Sequence, residues 1–305
     1  MAKKSKSSAL PFFITKTQRN CFKVNMPVDG YPKGWEQWFL LTSDQHWDNP
    51  KSDHALQLKH LNQALERNAG IVCCGDFFCA MQGRWDPRSD RADVRDMHNV
   101  TNYLDALVNT AADFLEPFSK NFIFIGRGNH ETSILKRQET DLIERLVSIL
   151  NFRTGSHIYN GGYSGWVRFV LTAAKTQRTL GRSMVMHYHH GYGGSAPVTK
   201  GTIHSNRKSV YLPDANLVVS GHIHESWRLD LVRQRFSTQG RTYQDEQTHV
   251  SIPTYKEEYI DGYGGWHVER GAAPKPIGAV WLRLFVPEVF RGKDKQILFE
   301  ITRAK

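Results

Sequence analysis

The sequence predicts an α/β fold, in which a sheet is covered by helices. Short apolar runs, each about as long as a buried strand, alternate along the chain with segments whose apolar residues recur at helical spacing. This alternation is typical of an α/β sheet. The chain has 305 residues, of which 40% are apolar, and this is enough for one large domain or two small ones with a real core.

Strands and helices alternate most clearly in the first half of the chain. The predicted strands are residues 38–41, 71–74 and 122–125, and the predicted helices are residues 53–68, 92–115 and 142–150. Ser52 or Asp53 is suited to cap the first helix, and Gly70 ends it. The first strand is expected to end at Asp44.

Strands predominate in the second half. The predicted strands are residues 167–171, 184–187 and 217–220, followed by segments near 227–233, 241–252, 279–286 and 297–303. The helical pattern fades beyond residue 225, so the C-terminal third is expected to be β-rich. No clear linker divides the chain. We therefore predict a basic N-terminal tail and lead-in over residues 1–34 and a single domain over residues 35–305.

The N-terminal segment carries no recognisable targeting signal. Residues 1–8 are basic, and the apolar stretch 9–14 is short, contains Pro11 and lacks a cleavage site, so we interpret it as a mobile tail. No segment approaches the roughly 18 apolar residues of a membrane helix. The four cysteines lack a paired CxxC spacing, which argues against a zinc ribbon and favours buried, reduced thiols. A soluble, cytoplasmic protein without membrane contact is expected.

The formal net charge of +10 indicates an anionic partner. Excess Lys and Arg attracts polyanions, so DNA or RNA is the first candidate. The alternative is a basic protein that binds no polyanion. Two sets of basic residues are candidate phosphate contacts: Arg84, Arg88, Arg91 and Arg95, whose interleaved aspartates can also pair with them, and Lys200, Arg207 and Lys208.

Five short islands of metal-ligating side chains occur in a fixed order, nearly all of them directly after an apolar run. They are Asp44-Gln45-His46, Gly75-Asp76, Gly128-Asn129-His130-Glu131, His189-His190-Gly191 and Gly221-His222-Ile223-His224. Ligands of α/β sheets bind at the carboxyl ends of strands, so the islands should converge on one edge. The sequence therefore predicts a site for two divalent cations that hydrolyses phosphoesters by in-line attack of an activated water.

The chemistry of each island fits such a site. Asp44 and His46 would share a face if the strand continues through them, as would His222 and His224 in the last island. A carboxylate together with an imidazole suits Mn²⁺, Fe or Zn²⁺ better than Mg²⁺ alone. Asp76 has two oxygens and can bridge two cations.

The third island adds different chemistry. Asn129 offers a neutral carbonyl oxygen to a cation. His130 would point elsewhere and donate a proton to the leaving oxygen. Gly128 would allow a tight turn before them.

Together the islands resemble the calcineurin-like metallophosphoesterase superfamily, whose pattern is DxH, GD, GNH[ED], H and GHxH, and the resemblance extends from Asp44 to His224. It implies an αββα sandwich with a dinuclear metal centre. It implies that the first cation is held by Asp44, His46, Asp76 and His224. It implies that the second is held by Asp76, Asn129, a histidine of the fourth island and His222, with Asp76 and a water as bridges. His130 matches the family's proton donor.

The fourth island leaves two candidates for its ligand. The family usually has the histidine immediately before a glycine, which favours His190, and His189 is the alternative. Residues 188–194 are also similar to phage-encoded or bacterial members of the family.

Two features of the sequence concern the branch of the family, one a departure from its pattern and the other a resemblance. The phosphoprotein phosphatases have Asp-Arg-Gly shortly after their GD, and residues 75–80 lack it, which disfavours a serine/threonine phosphatase. Arg127 resembles the arginine of that branch's RGNHE, which contacts phosphate, and a guanidinium binds phosphate in bidentate fashion. The alternative is a surface arginine in a turn.

The predicted function is a phosphodiesterase or nuclease that acts on nucleic acid or nucleotides with two divalent cations. Mn²⁺ is the first choice, and Fe, Zn²⁺ and Mg²⁺ are the alternatives. The predicted catalytic residues are His130, Asp76 and Arg127. A phosphomonoesterase or protein phosphatase of the same fold is one alternative. A non-catalytic nucleic-acid-binding protein is another, and the complete ligand set argues against it.

Overall fold

Two mixed β-sheets lie at the centre of the computed structural model, which describes residues 10–30, 32–82, 86, 89, 93–194, 196–260, 262–263, 266–269, 271–287 and 297–304. The predicted tail over residues 1–8 and three arginines of the predicted basic stripe, Arg84, Arg88 and Arg91, lie outside the described residues. No helix among the described residues is both long and apolar enough to span a membrane.

The bounds of the elements follow the predicted alternation. The strands are β1 (Phe13–Gln18), β2 (Cys21–Val28), β3 (Glu36–Thr42), β4 (Gly70–Cys73), β5 (Phe122–Gly126), β6 (Tyr159–Gly162), β7 (Ser164–Ala173), β8 (Thr179–His189), β9 (Leu217–Ser220), β10 (Trp227–Phe236), β11 (Thr242–Ser251), β12 (Ala279–Phe285) and β13 (Leu298–Ala304). The α-helices are α1 (His54–Glu66), α2 (Tyr103–Leu115), α3 (Asn129–Gln138), α4 (Leu142–Thr154), α5 (Thr202–Tyr211) and α6 (Trp266–Glu269).

The strand order brings the ends of distant strands together. The six-stranded sheet has the order β13-β12-β3-β4-β5-β6, and the seven-stranded sheet has the order β1-β2-β7-β8-β9-β11-β10. Strands β3 to β6 are parallel, as are β8 and β9. Their carboxyl ends therefore point to one edge of each sheet, and the five islands follow β3, β4, β5, β8 and β9.

The core lies between the sheets and under the helices. Phe39 of one sheet packs against Phe169 of the other, with ring centroids 4.7 Å apart. Helices α1, α2 and α4 cover the outer face of the six-stranded sheet through a second apolar cluster. On the outer face of the seven-stranded sheet, Leu212 at the end of α5 packs against Val218. The layers are helix, sheet, sheet and helix, so the predicted αββα sandwich is confirmed.

The predicted helix over residues 92–115 is too long at its start. Helix α2 begins only at Tyr103, and a 3-10 turn at Asp96–His98 precedes it. Tertiary contacts hold the segment before the helix, because the His98 ring bonds Thr110 at 2.8 Å and the Arg95 amide donates to the Asp48 carbonyl at 3.3 Å. These contacts outweigh the helical spacing of the sequence.

The predicted lead-in contains two strands that were not expected. Strand β2 pairs in parallel with β7 along its whole length, and β1 pairs with β2 at the edge of the sheet. Most of β1 is exposed, so it lacks the apolar run by which the buried strands are recognised. The structured part of the sheet thus includes residues before position 35.

Candidate metal centre

The five islands meet at the shared edge of the two sheets, and backbone hydrogen bonds join the first island to the second and the fourth to the fifth. The Asp44 amide donates to the Gly75 carbonyl at 3.0 Å, and the His46 amide donates to the Asp76 carbonyl at 3.1 Å. The Gly221 amide donates to the His190 carbonyl at 2.8 Å. Bonds from backbone amides to side chains join these pairs and the third island, because the His222 amide donates to Asp44 Oδ2 at 2.9 Å and the His130 amide donates to Asp76 Oδ1 at 3.0 Å.

The candidate ligands occupy strained backbone positions. Five of them have positive φ: Asp44 (52°), His46 (48°), Asp76 (51°), His222 (73°) and His224 (55°). A residue with a side chain is disfavoured in this region by about 1–3 kcal/mol, and such strain clusters at functional sites. It persists here because the surrounding hydrogen bonds fix the loops.

The structure corrects the predicted reason why the two ligands within each of the first and last islands point the same way. Strand β3 ends at Thr42 and not at Asp44, and β9 ends at Ser220. The ligands in both islands therefore lie in loops, and the alternation of a strand does not determine their directions. The left-handed residues turn the side chains inward instead.

Two glycines are required by close packing against the carboxylates. A Cβ on Gly128 would overlap the Asp76 carboxylate, and a Cβ on Gly221 would overlap Ser43 and the Asp44 carboxylate. Gly128 has φ −109° and ψ −166°, which is extended backbone, so the predicted tight turn at this glycine is wrong. Its lack of a side chain, and not its flexibility, leaves room for Asp76.

The first cluster of candidate ligands, here called the Asp44 group, contains Asp44, His46 and His224. The Nε2 atoms of His46 and His224 are 3.3 Å apart, and His224 Nε2 is 3.3 Å from Asp44 Oδ1. Asp44 Oδ1 is buried without a hydrogen-bond partner among the described residues. Two imidazole nitrogens that face each other beside an unsatisfied carboxylate oxygen are arranged as ligands around a cation.

Protonation in the Asp44 group also fits a cation. Burial, and then the neighbouring His130 and His224, hold the pKa of His46 well below its usual range. His46 is therefore neutral, which is the form that ligates metal. Burial opposes ionisation of Asp44, but the close His224 imidazole outweighs it and lowers the pKa of Asp44.

The second cluster, here called the Asp76 group, contains Asp76, His190 and His222. His190 Nε2 is 3.1 Å from Asp76 Oδ2 and 3.1 Å from Asn129 Oδ1, so the predicted Asn129 lies beside this group. Burial alone would lower the pKa of His190, but Asp76 raises it to about 9. A cation that binds here would displace this proton.

Backbone carbonyls orient both histidines of the Asp76 group. His190 Nδ1 is 3.1 Å from the Cys74 carbonyl, which can only accept, so Nδ1 carries a hydrogen and Nε2 faces Asp76. His222 Nε2 is 3.0 Å from the Gly193 carbonyl, so its Nδ1 is the nitrogen with a free lone pair. Such contacts behind metal-binding histidines fix their tautomers.

The alternative His189 does not reach Asp76. Its Nδ1 accepts a hydrogen bond from the Gly191 amide at 2.8 Å, and its ring packs between Tyr163 and Tyr192. Of the two histidines that the sequence left open, the structure brings His190 to the candidate ligands.

The Asp76 carboxylate faces both His190 and His130. Its Oδ1 accepts from the His130 amide at 3.0 Å, and its Oδ2 faces His190 and also His130 Nε2, which is 3.8 Å away. Burial opposes ionisation, but the charges of His190 and His130 outweigh it and hold the pKa of Asp76 well below its usual range. The carboxylate is therefore ionised and able to ligate cations.

His130 is positioned by the backbone beside Asp76. Its Nδ1 lies 2.5 Å from the Cys79 carbonyl and therefore donates to it. His46, Cys79 and His130 also lie close enough to hold a cation. Burial raises the pKa of the Cys79 thiol far above its ordinary value, and a protonated thiol is a poor ligand. The Asp44 and Asp76 groups are thus the better candidates.

Glu131 supports the site, and its role was not predicted. Its buried carboxylate accepts from the amides of Asp76 (3.2 Å), Phe78 (2.8 Å) and Gly128 (2.7 Å). Burial and the nearby Asp76 raise its pKa to about 8. It ties the loop after β4 to the start of α3. The signal in the sequence was an acidic residue in the third position of a helix.

Arg127 lies beside the candidate ligands but is held by other residues. Its Nη2 is 3.3 Å from Asp141 Oδ2, and its Nε donates to Asn160 Oδ1 at 3.5 Å. Its side chain is 21% exposed, and it lines a cavity next to the site. A role in phosphate binding stays a prediction.

The other basic residues that were predicted to contact phosphate differ in their exposure to solvent. Lys208 belongs to α5, and its side chain is buried. Burial lowers its pKa to about 8, and the side chain is not available to a nucleic-acid backbone. Arg95 contacts the rings of His54 and Trp47. Lys200 and Arg207 are exposed.

The fold and the site define a class: a two-sheet α/β metallohydrolase whose ligands lie on loops at strand ends. The family model of the calcineurin-like phosphoesterases matches residues 38–226, which is more than half of the chain, and the protein belongs to this family. Membership supports the broad prediction of a metal-dependent hydrolase of phosphoesters. No curated protein matches the sequence.

Solved structures of similar shape share little sequence with the chain. GAP50, the anchor in the inner membrane complex of Plasmodium, is 12% identical, with a TM-score of 0.38 and coverage of 88% of this chain and 89% of that one. Vps29 of Chaetomium thermophilum is 9% identical, with a TM-score of 0.36 and coverage of 88% and 95%. A predicted phosphoesterase of Streptococcus pneumoniae is 9% identical, with a TM-score of 0.32 and coverage of 88% and 99%. Likenesses this weak carry no argument about function.

Proposed function

We propose that the protein is a phosphodiesterase or nuclease that cleaves nucleic acid or nucleotides with two divalent cations. The observation that carries the proposal is the pair of adjacent ligand groups. They are linked directly, because the amide of His222 in the Asp76 group donates to Asp44 Oδ2 of the Asp44 group at 2.9 Å. Neutral imidazoles, carboxylates and an amide oxygen suit Mn²⁺ first, and also Fe and Zn²⁺.

The roles of the residues follow from their positions. Asp44, His46 and His224 would hold one cation, and Asp76, Asn129, His190 and His222 the other, with Asp76 shared. Bound cations supply an activated water and neutralise charge on the phosphoryl oxygens. The site is buried at the ends of the β-strands. Because water is largely excluded there, electrostatic interactions with a phosphate are stronger.

His130 is proposed to donate a proton to the leaving oxygen. With Nδ1 donating to the Cys79 carbonyl, Nε2 is the nitrogen that would act on a substrate. Asp76 Oδ2 lies 3.8 Å from this nitrogen. The backbone thus holds the ring in one orientation, with Nε2 as the nitrogen that would carry the transferred proton.

A diester is preferred over a monoester for two reasons. The net charge of +10 favours a polyanion, and the Asp-Arg-Gly of the protein phosphatases is missing after Gly75-Asp76. A phosphomonoesterase is the second candidate. A binding protein without activity is disfavoured, because none of the expected metal ligands is missing from the sequence.

The purified protein should hydrolyse bis-p-nitrophenyl phosphate with Mn²⁺ and lose this activity in EDTA. The chelator removes the cations on which the reaction depends, and Mn²⁺ added back should restore it. The assay should be repeated with single-stranded DNA, duplex DNA, RNA, a cyclic nucleotide and a phosphopeptide. Activity on the phosphopeptide alone would favour the phosphatase, and no Mn²⁺-dependent activity on any substrate would contradict the proposal.

The variant His130→Ala should turn over an oligonucleotide about 10²–10⁴ times more slowly while it keeps its metal content. The sugar oxygen of a nucleic acid is a poor leaving group and needs the proton. The p-nitrophenolate of the small diester leaves without one, so its rate should fall much less. Initial rates with both substrates and metal analysis of the variant test this role.

Equal losses of rate on the two substrates would contradict the assignment of His130 as the proton donor. Loss of bound metal would instead place it among the ligands, in the cluster with His46.

A further inference from the structure

A basic cavity of about 640 Å³ adjoins the metal centre on the side of the Asp76 group. Its walls come from the turn between β1 and β2, from α4, from β6 and from the start of β7. The lining residues that matter here are Lys16, Arg19, Arg127, Asn160, Tyr159 and Tyr163. None of the predicted metal ligands lines it, so it is a separate subsite.

Tyr163 connects the cavity to the metal centre. Its ring packs edge-on against His190, with centroids 5.4 Å apart, and its hydroxyl donates to the Gly191 carbonyl at 2.9 Å. Arg127 lies on the same wall, directly before Gly128, whose backbone contacts Asp76. A ligand that reaches from the candidate cations across Tyr163 enters this cavity.

The charge of the cavity favours an anion. Three cationic side chains line it, those of Lys16, Arg19 and Arg127, against one acidic side chain, that of Glu144. Arg127 is neutralised by Asp141, but Lys16 and Arg19 are exposed and have no ion pair among the described residues. Two cationic side chains that line a cavity and form no ion pair there are suited to bind phosphate groups.

The size and the rings of the cavity limit the ligand. A volume of about 640 Å³ lies in the range of pockets for single small ligands and is too small for a double helix. Tyr159 and Tyr163 offer aromatic surface, and Lys16 Nζ lies 5.6 Å from the centre of the Tyr159 ring. A flat ring beside a cation is the arrangement by which proteins bind single-stranded nucleic acid without strong sequence preference.

We propose that this cavity holds a nucleotide next to the scissile phosphodiester of a single-stranded nucleic acid. Lys16 and Arg19 contact the phosphate beyond that nucleotide, and the tyrosines contact its base. The inference rests on the proposed function and deepens it, because it selects single strands as the substrate. It also assigns a role to residues of the predicted lead-in, which lie outside the region matched by the family model.

The test is the double variant Lys16→Ala/Arg19→Ala. With Mn²⁺ bound, its KM for a single-stranded oligonucleotide should rise about tenfold, because two phosphate contacts are lost. The slope of log affinity against log salt should fall by about 0.7, because one phosphate is no longer neutralised. Affinity is measured by fluorescence anisotropy with a phosphorothioate oligonucleotide. Hydrolysis of bis-p-nitrophenyl phosphate should not change, because this diester is too short to reach the cavity.

The matched control is Lys175→Ala/Arg178→Ala. It removes the same charge from the exposed turn between β7 and β8, at the opposite end of these strands from His189. This control should leave the KM and the salt slope as in the wild type. A rise in KM of the same size in both double variants would mean that net charge, and not the cavity, binds the strand, and would overturn the inference.

The remaining outcomes separate the inference from the proposed function. An unchanged KM and affinity in Lys16→Ala/Arg19→Ala overturns the inference and leaves the phosphodiesterase intact. An equal loss of affinity for duplex DNA overturns the assignment to single strands. If the wild type hydrolyses no diester, the proposed function fails, and the anisotropy measurement alone decides whether the cavity binds a strand.

Discussion

The variant Asp76→Asn should lose on the order of a thousandfold in the hydrolysis of bis-p-nitrophenyl phosphate and should bind less metal. Asp76 is the buried anion that faces both His190 and His130, and it lies where both cations are expected. An amide keeps the shape of the side chain but removes the charge and one ligand oxygen. Its NH₂ group would also face His190 or the His130 amide, where an acceptor is needed.

Metal content per protein, measured by mass spectrometry, and initial rates in Mn²⁺ give the two readouts. The control is Asp113→Asn on the exposed side of α2, where the carboxylate pairs with Arg153 and Asn should be neutral for activity. If Asp76→Asn retained full metal content and activity, the Asp76 group would not be a metal site.

The convergence of the ligands could be predicted from the sequence, because it depends on a general property of parallel strands. Apolar runs of strand length end just before each island, and parallel strands present their carboxyl ends at one edge. The structure places β3, β4 and β5 side by side in this way, with β8 and β9 in the facing sheet. No side-chain detail is needed for that conclusion.

The directions of the ligands could not be predicted in the same way. Asp44 and His222 have positive φ, a conformation that is uncommon for residues other than glycine, and a short sequence pattern does not indicate it even for Asp and His, in which it is enriched. The conformation is imposed by bonds to other loops, such as that from the Asp44 amide to the Gly75 carbonyl. Contacts between residues distant in sequence decide it.

The same limit applies to the supporting residues. Glu131 acts on Phe78, and no local pattern links the two positions, which are joined only in the folded chain. Strand β1 was missed because an exposed edge strand has no apolar face pattern strong enough to recognise, whereas β2 has an alternation of Phe22, Val24, Met26 and Val28 that could have indicated it. The cavity lined by Lys16 and Arg19 could therefore be found only from the structure.

Gly128→Ala should impair the protein almost as much as the loss of a ligand, although glycine has no side chain to react. Its Cβ would overlap the Asp76 carboxylate, and both groups are buried in packed loops that cannot move apart freely. Displacing Asp76 by about 1 Å is expected to cost about a hundredfold in turnover, and the overpacking about 1–3 kcal/mol of the free energy of unfolding. Metal content should fall together with activity.

Gly194→Ala is the matched control, because Gly194 lies in a loop near the site, without a left-handed φ, and a Cβ added to it would have nothing within 4 Å. This variant should keep wild-type activity, metal content and urea midpoint. Kinetics, metal analysis and urea unfolding of both variants test the difference. Gly128→Ala with wild-type activity and stability would show that Asp76 has space to move, and the close contact between this glycine and the Asp76 carboxylate would then have no role in the centre.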